Sequence, residues 1–383
     1  FINTTSNACT ITLPSSADAG DQIILIDYLR TWGTNKITID SNGLTFQGQE
    51  DTYIVDYDTA GQSINLVYAD STNGWIPTSD IANALEPTQP PTQKAIFAFG
   101  EISGGKTNVS NLVNSSGVVA SDVTGVGTAT AKGGATGYGT DKAIFAYGTD
   151  SSGYSTSSNL VNNSGVVATD VTLVGTGRGG LAGVGYGSDK GIFAYGINAS
   201  GSVSMSNLVS NSGVIATDTS GVGTARSSIT AAAYGGITAG TAIFAYGYEG
   251  GLLSMSNLVN SSGVIASDVS GVGSARYSLG ATGYGLDKAI FAYGRASGVV
   301  SMSNLVNSSG VIASDVSGVG TARDNPGAAS YGGDKALFAF GATDAYVSLK
   351  NLVNSSGVIA SDVTGVGTAR YAQDGAAEYS LSA

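Results

Sequence analysis

The 383-residue sequence predicts an all-β protein: a small N-terminal β-module followed by a closed array of six repeated sheets. Three observations predict it. The chain is rich in glycine and poor in charge, one strand-like heptad returns six times, and the array begins and ends on complementary half-units.

Composition comes first. Charged residues make up 11% of the chain, against roughly 25% in an ordinary globular protein. Gly occupies 57 positions, and Ser, Thr, Asn and Val fill much of the rest. Gly supplies positive φ at tight turns and β-branched residues suit pleated surfaces, so many short strands are expected and long helices are not. The formal net charge is -12 with no cluster of Lys or Arg, which excludes the electrostatic footprint of a nucleic-acid partner. No apolar run approaches the roughly eighteen residues that span a bilayer, so no membrane insertion is expected. The chain starts at Phe1 rather than Met, inside strand-like sequence and without signal-peptide features, which implies processing or a preceding segment.

The heptad appears as KAIFAFG from Lys94, KAIFAYG from Lys142, KGIFAYG from Lys190, TAIFAYG from Thr241, KAIFAYG from Lys288 and KALFAFG from Lys335. Each copy continues into a block such as Ser301 to Arg323 (SMSNLVNSSGVIASDVSGVGTAR) and then a variable stretch closing on a Tyr-Gly pair such as Tyr331-Gly332. One copy reads as four strands: the Tyr-Gly segment, the heptad, the SNLVNSSG segment and the GVIASDVSGV segment. Tyr284-Gly285-Leu286-Asp287 and Asn307-Ser308-Ser309-Gly310 supply the turns between them. Within the heptad Ile290, Ala292 and Gly294 alternate with Phe291 and Tyr293. Both faces are apolar or small, so the strand needs cover on two sides, as in sheets stacked around an axis.

The ends of the array predict closure. The first copy opens on the heptad with no Tyr-Gly strand before it, whereas the chain finishes on GAAEYSLSA, whose Tyr379 aligns with Tyr331 and Tyr284. A terminal first strand and an initial second strand complete each other only if they meet in one sheet. Closure also removes the exposed edges and the polar caps that an open solenoid requires. Residues 94–383 therefore read as a six-bladed β-propeller closed by its C-terminal strand. Residues 1–80 lack the repeat, carry Trp32 and Trp75, and alternate in CTITLP, DQIILIDYL, KITID, TYIVDY and QSINLVYAD, which reads as a small all-β module. Residues 81–93, with Pro87, Pro90 and Pro91, read as an extended, semi-stiff linker.

Two resemblances follow from these motifs. The order GTAR, apolar strand, KAIFAYG, polar strand over residues 94–383 resembles a kelch-type propeller, although this chain has a single Gly where kelch has a pair and no Trp in the fourth strand. ACTITLPSSADAGDQIILIDY followed by QSINLVYADSTNGW resembles small β-modules in tail fibres and other virion appendages of tailed bacteriophages, cyanophages among them. That second resemblance implies a virion location, attachment to other virion proteins through the N-terminal module, and a homotrimer.

Candidate chemistry is sparse. There is no His, which removes the usual general base and the commonest metal ligand, and Cys9 is the sole cysteine. No catalytic residue, metal site or cofactor is expected. Asp122, Asp170, Asp218, Asp268, Asp315 and Asp362 recur once per copy, as do Asn111, Asn159, Asn207, Asn257, Asn304 and Asn351. Sixfold repetition reads as a role in the fold, because a single active site would break the symmetry. Arg178, Arg226, Arg276, Arg323 and Arg370 also recur, with Thr130 in the first copy; each either pairs with a neighbouring blade or contributes to an anion-binding face.

Variation concentrates after the heptad and after GTAR. With antiparallel neighbours these connections emerge on one side, and loops on a rigid scaffold carry recognition. Tyr154, Tyr248, Glu249, Tyr277, Arg295 and Tyr346 are the candidate ligand-binding residues, drift in unconstrained loops being the alternative. The expected function is a non-catalytic virion appendage that attaches to a host surface glycan or protein. A capsid decoration protein, a propeller glycan hydrolase or lyase, and a cell-surface adhesin are the alternatives.

Overall fold

The short apolar runs pair into small, mostly antiparallel sheets in the computed structural model, which describes residues 1–52, 54–79, 93–372 and 375–379. The chain divides into two compact units, Phe1–Pro90 and Pro91–Ala383. The expected Pro-rich linker falls outside the described residues, apart from Gln93. A single helical turn, Gly236–Ala239, is described, and no described helix is long and apolar enough to cross a membrane.

The N-terminal unit holds two three-stranded sheets. In one, Cys9–Thr12 runs parallel to Ile37–Asp40, which is antiparallel to Val55–Tyr57. In the other, Ser63–Tyr68 lies between Gln22–Ile26 and Trp75–Ser79. Strand alternation puts Ile37, Ile39, Ile64 and Leu66 into a core with Trp32, Tyr57 and Trp75. Asp27 ties the connections down, accepting the amides of Thr31, Trp32 and Gly61.

The second unit contains six sheets with one plan. The Tyr-Gly strand pairs with the heptad strand, which pairs with the SNLV strand, as in Gly280–Tyr284, Lys288–Ala292 and Ser303–Val306 of the fifth sheet. The register is constant: Tyr138, Tyr186, Tyr284 and Tyr331 each face the Lys four residues later. The first sheet is assembled from both ends of the unit. Ala376–Tyr379 pairs with Lys94–Ala98, with Tyr379 opposite Lys94, the register of the other copies. First strands of successive sheets contact one another, and Ala376–Tyr379 contacts both Gly327–Tyr331 and Gly134–Tyr138, so the six sheets succeed one another in a closed cycle.

Two local features differ from the sequence reading. The fourth strand is regular only at Val171–Thr172; elsewhere the GVIASDV segment is held to the third strand by paired bridges such as Val306 with Ile312 and Ser303 with Val316. Between such bridges the Asn side chain replaces a regular ladder. Asn304 donates through Nδ2 to the Ala313 carbonyl at 3.0 Å and to Asp315 at 2.9 Å. In five copies the heptad strand also stops at its fifth residue, whereas in the fourth it runs on to Tyr248 through an irregularity between Ala245 and Gly247. The sixth residue of the heptad is left-handed in all six copies (Phe99, Tyr147, Tyr195, Tyr246, Tyr293 and Phe340, φ 63–64°), and the following Gly is left-handed too. This turn takes the aromatic out of the pleat and into the contact with the next sheet.

That contact repeats around the whole cycle. Edge-to-face or tilted pairs join Phe99 to Phe145, Tyr147 to Phe193, Tyr195 to Phe244, Tyr246 to Phe291, Tyr293 to Phe338 and Phe340 to Phe97, with centroids 5.3–5.7 Å apart. Over five of these aromatics lies a fully buried Arg of the GTAR motif, its guanidinium 4.0–4.5 Å from the centroid. Arg226 shows the satisfaction such a buried charge needs. Its Nε donates to the Tyr246 carbonyl at 2.9 Å, Nη1 to the Thr224 carbonyl at 3.0 Å and Nη2 to Asn257 Oδ1 at 2.7 Å. Asp268 of the same sheet accepts the Thr224 amide and hydroxyl, with its carboxylate 3.9 Å from Arg226. The repeated Arg, Asn and Asp are therefore the joints between sheets. Thr368 makes the same bonds to Asp122, and Arg370 to Asn111, at the seam between the two ends of the repeat array.

Arg226→Met is expected to destabilise the protein by about 3 kcal/mol, because it leaves the Asn257 and Tyr246 acceptors buried and unpaired. Thermal or denaturant unfolding reads this directly. Acid should act on all six joints. Burial raises each Asp, but hydrogen bonds from the Thr or Ser hydroxyl, the Asn amide and the backbone outweigh it and hold each carboxyl below its ordinary value. A carboxylate depressed in the folded state contributes stability above its unfolded pKa and loses it as pH falls through the folded one. Stability should hold down to about pH 4 and then drop in one cooperative step, read by circular dichroism.

Candidate functional site

The variable residues meet in pairs at one end of each sheet. Beyond the regular ladder a further bridge joins the residue after GTAR to the residue after the heptad. The pairs are Tyr371 with Glu101, Ala131 with Thr149, Gly179 with Ile197, Ser227 with Tyr248, Tyr277 with Arg295, and Asp324 with Ala342. Both variable connections of each sheet thus lie together. The next residue of the GTAR-side connection is left-handed at Lys132, Gly180, Ser228, Ser278 and Asn325. The amides of Gly180, Ser278, Asn325 and Ala372 donate to the carbonyls of Lys132, Ser228, Ser278 and Asn325, so these connections are tied sheet to sheet.

The six pairs occupy equivalent places and differ in size. In the second and third sheets they are small or plain: Ala131, Thr149, Gly179 and Ile197. From the fourth sheet through the first each pair carries at least one aromatic or charged residue, and these touch from sheet to sheet. Tyr248 packs on Tyr277 at 5.7 Å. Arg295 Nε donates to Asp324 Oδ2 at 2.5 Å. Tyr346 meets Tyr371 at 4.8 Å and 87°, and its hydroxyl donates to Glu101 Oε1 at 3.3 Å. One sector of an otherwise repetitive surface is chemically distinct.

Its electrostatics are acceptor-rich. The Asp324 side chain is only 4% exposed, whereas that of Arg295 is 36% exposed, and among the described residues the buried Asp324 Oδ1 has no hydrogen-bond partner. Burial and then the Asp324 carboxylate push the Tyr371 phenol up, and burial and then Glu101 push the Tyr346 phenol up. Both phenols stay neutral donors at neutral pH. Aromatic faces with fixed carboxylates and phenols can stack on a saccharide ring or clasp a polar side chain. Among the described residues no three His, Cys, Asp or Glu are grouped to hold a metal ion.

Four of the six expected residues, Tyr248, Tyr277, Arg295 and Tyr346, fall in this sector. Tyr154 sits apart, in a two-residue ribbon with Thr149 over the second sheet, and Glu249 is exposed in the turn between Tyr248 and Leu252. Sequence reasoning passed over Tyr371, although it aligns with Tyr277 after GTAR. Nor did it single out Asp324, which is bridged to Ala342 and buried. Glu101 lay within a variable stretch without being singled out. The signal available for all three was the alignment of the two positions flanking the ladder.

A scan against protein-family models found no match, and a search of curated proteins found none.

Arg295→Ala is expected to cost about 2 kcal/mol, since it strips the partner from a buried carboxylate but exposes the site to water. Adding Asp324→Asn should recover part of that loss, so the double-mutant cycle will be non-additive. Additive losses would show that the two groups are not coupled.

Proposed function

We propose that the chain is a non-catalytic subunit of a tailed-phage virion appendage, whose repeat array is a six-bladed kelch-like β-propeller that attaches to a host surface glycan or protein. The observation that carries the recognition half is the contiguous sector of Tyr248, Tyr277, Arg295, Asp324, Tyr346, Tyr371 and Glu101, set against small residues at equivalent places in the second and third sheets. A purely structural role asks for no such break in symmetry. The closed succession of sheets and the Tyr379–Lys94 pairing support the propeller reading. The non-catalytic reading is supported by the buried, Arg-tied setting of Asp324.

Attachment to other virion proteins and trimer formation are assigned to the N-terminal unit on its resemblance to appendage modules. The location on an extracellular particle follows from the same resemblance.

Adsorption of the full chain to host cells and to extracted envelope polysaccharide tests the attachment. Tyr277→Ala and Tyr371→Ala should each weaken it about tenfold, as loss of an aromatic anchor does, while Thr149→Ala in the plain sector should leave it unchanged. Failure to adsorb, or equal losses in both sectors, would exclude recognition by this surface. Mass spectrometry of purified particles tests the virion location separately.

A further inference from the structure

Charge sets the dense sector apart from the rest of the loop surface. In the connections from the fourth sheet through the first, the described residues carry Glu101, Glu249, Asp324 and Asp344 against Arg295 and Lys106. Those of the second and third sheets carry only Asp150 against Lys132. Both cations of the dense sector are engaged elsewhere than at Glu101. Arg295 is held by Asp324, and Lys106, although it lies opposite Glu101 in the ladder, donates through Nζ to the Asp150 carbonyl at 2.6 Å. Among the described residues Glu101 makes no ion pair.

Glu101 is half-buried at an aromatic corner. It is bridged to Tyr371, and its Oε1 accepts the hydroxyl of Tyr346, the ring that meets Tyr371 at a right angle. Tyr371 feels the charges of both Glu101 and Asp324. A ring face beside a carboxylate without a cation suits an ammonium group, because the ring quadrupole attracts the charge and the carboxylate accepts the N–H bonds. The formal charge of -12 favours a cationic ligand in the same sense and repels an anionic polysaccharide. Three successive contacts then alternate: Tyr248 on Tyr277, Arg295 on Asp324, Tyr346 on Tyr371. Aromatic faces repeated along a row suit successive sugar rings, whereas a lone lysine would use one of them.

We propose that the ligand of this sector is a glycan carrying unacetylated amino sugars, whose ammonium is held by Glu101 beside Tyr346 and Tyr371. The inference rests on the attachment reading above and narrows its ligand.

Calorimetric titration of the full chain with a glucosamine oligomer, and with the same oligomer fully N-acetylated, tests it at about pH 6, where amines are protonated. The free-amine oligomer should bind about tenfold more tightly than the acetylated one, the effect of one hydrogen-bonded charge, and added salt should narrow the gap. Glu101→Gln keeps the size of the side chain and an acceptor for Tyr346; it should remove that tenfold preference and leave the acetylated oligomer unaffected. Thr149→Ala should change neither. Equal binding of the two oligomers, binding of neither, or a preference that survives Glu101→Gln overturns the proposal. Competition by N-acetyl-lysine amide but not by the glucosamine oligomer assigns the site to a protein side chain and overturns it as well. Host-cell adsorption separates this from the attachment reading: if it depends on Tyr277 and Tyr371 but is unchanged in Glu101→Gln, attachment stands and the ammonium assignment falls. Preferential binding of the free-amine oligomer by a chain that does not adsorb supports the assignment and excludes attachment.

Discussion

The repeat array depends on an arginine buried between neighbouring sheets. A sheet of small and apolar residues can stack on its neighbour through Phe and Tyr, but such contacts alone leave the relative setting of the two loosely specified. A guanidinium fixes it, because its planar donors reach acceptors only in one arrangement. At each of five contacts it lies over an aromatic of one sheet and donates to an Asn of the next. The left-handed aromatic, the Asn that replaces a regular fourth strand and the Asp that accepts a Thr or Ser are the parts that make this burial tolerable.

That joint explains the division of the repeat into uniform and variable stretches. GTAR, KAIFAYG and the SNLV segment supply the joint and its strands, so a change at any of them is felt in two sheets. The residues just beyond the ladder bear no such load, and there the copies diverge. Divergence is not evenly spread: it yields a plain sector at Ala131, Thr149, Gly179 and Ile197 and a dense one from Tyr248 round to Glu101.

Much of the fold was legible because it is written locally. Alternation marked the strands, Gly and Asn marked the turns, and the four-residue Tyr-to-Lys spacing of four copies carried the register through which Tyr379 pairs with Lys94. The candidate site was only half legible. Tyr277 and Arg295 could be picked out as variable residues, but that they are bridged to each other, or that Arg295 reaches Asp324, depends on cross-strand and cross-sheet distances that variability does not encode. Tyr371 could be aligned with Tyr277, but its packing on Tyr346 could not be read that way.

By itself, then, the sequence determined strand content, the number of copies and the meeting of the two ends of the repeat array, since all three follow from short-range periodicity and from counting. Tertiary structure decided which polar groups are buried and which variable residues touch. Arg370 and Asn111 are 259 residues apart and Glu101 and Tyr346 are 245 apart, yet each pair is hydrogen-bonded. A contact of that kind exists only once every intervening sheet has taken its place.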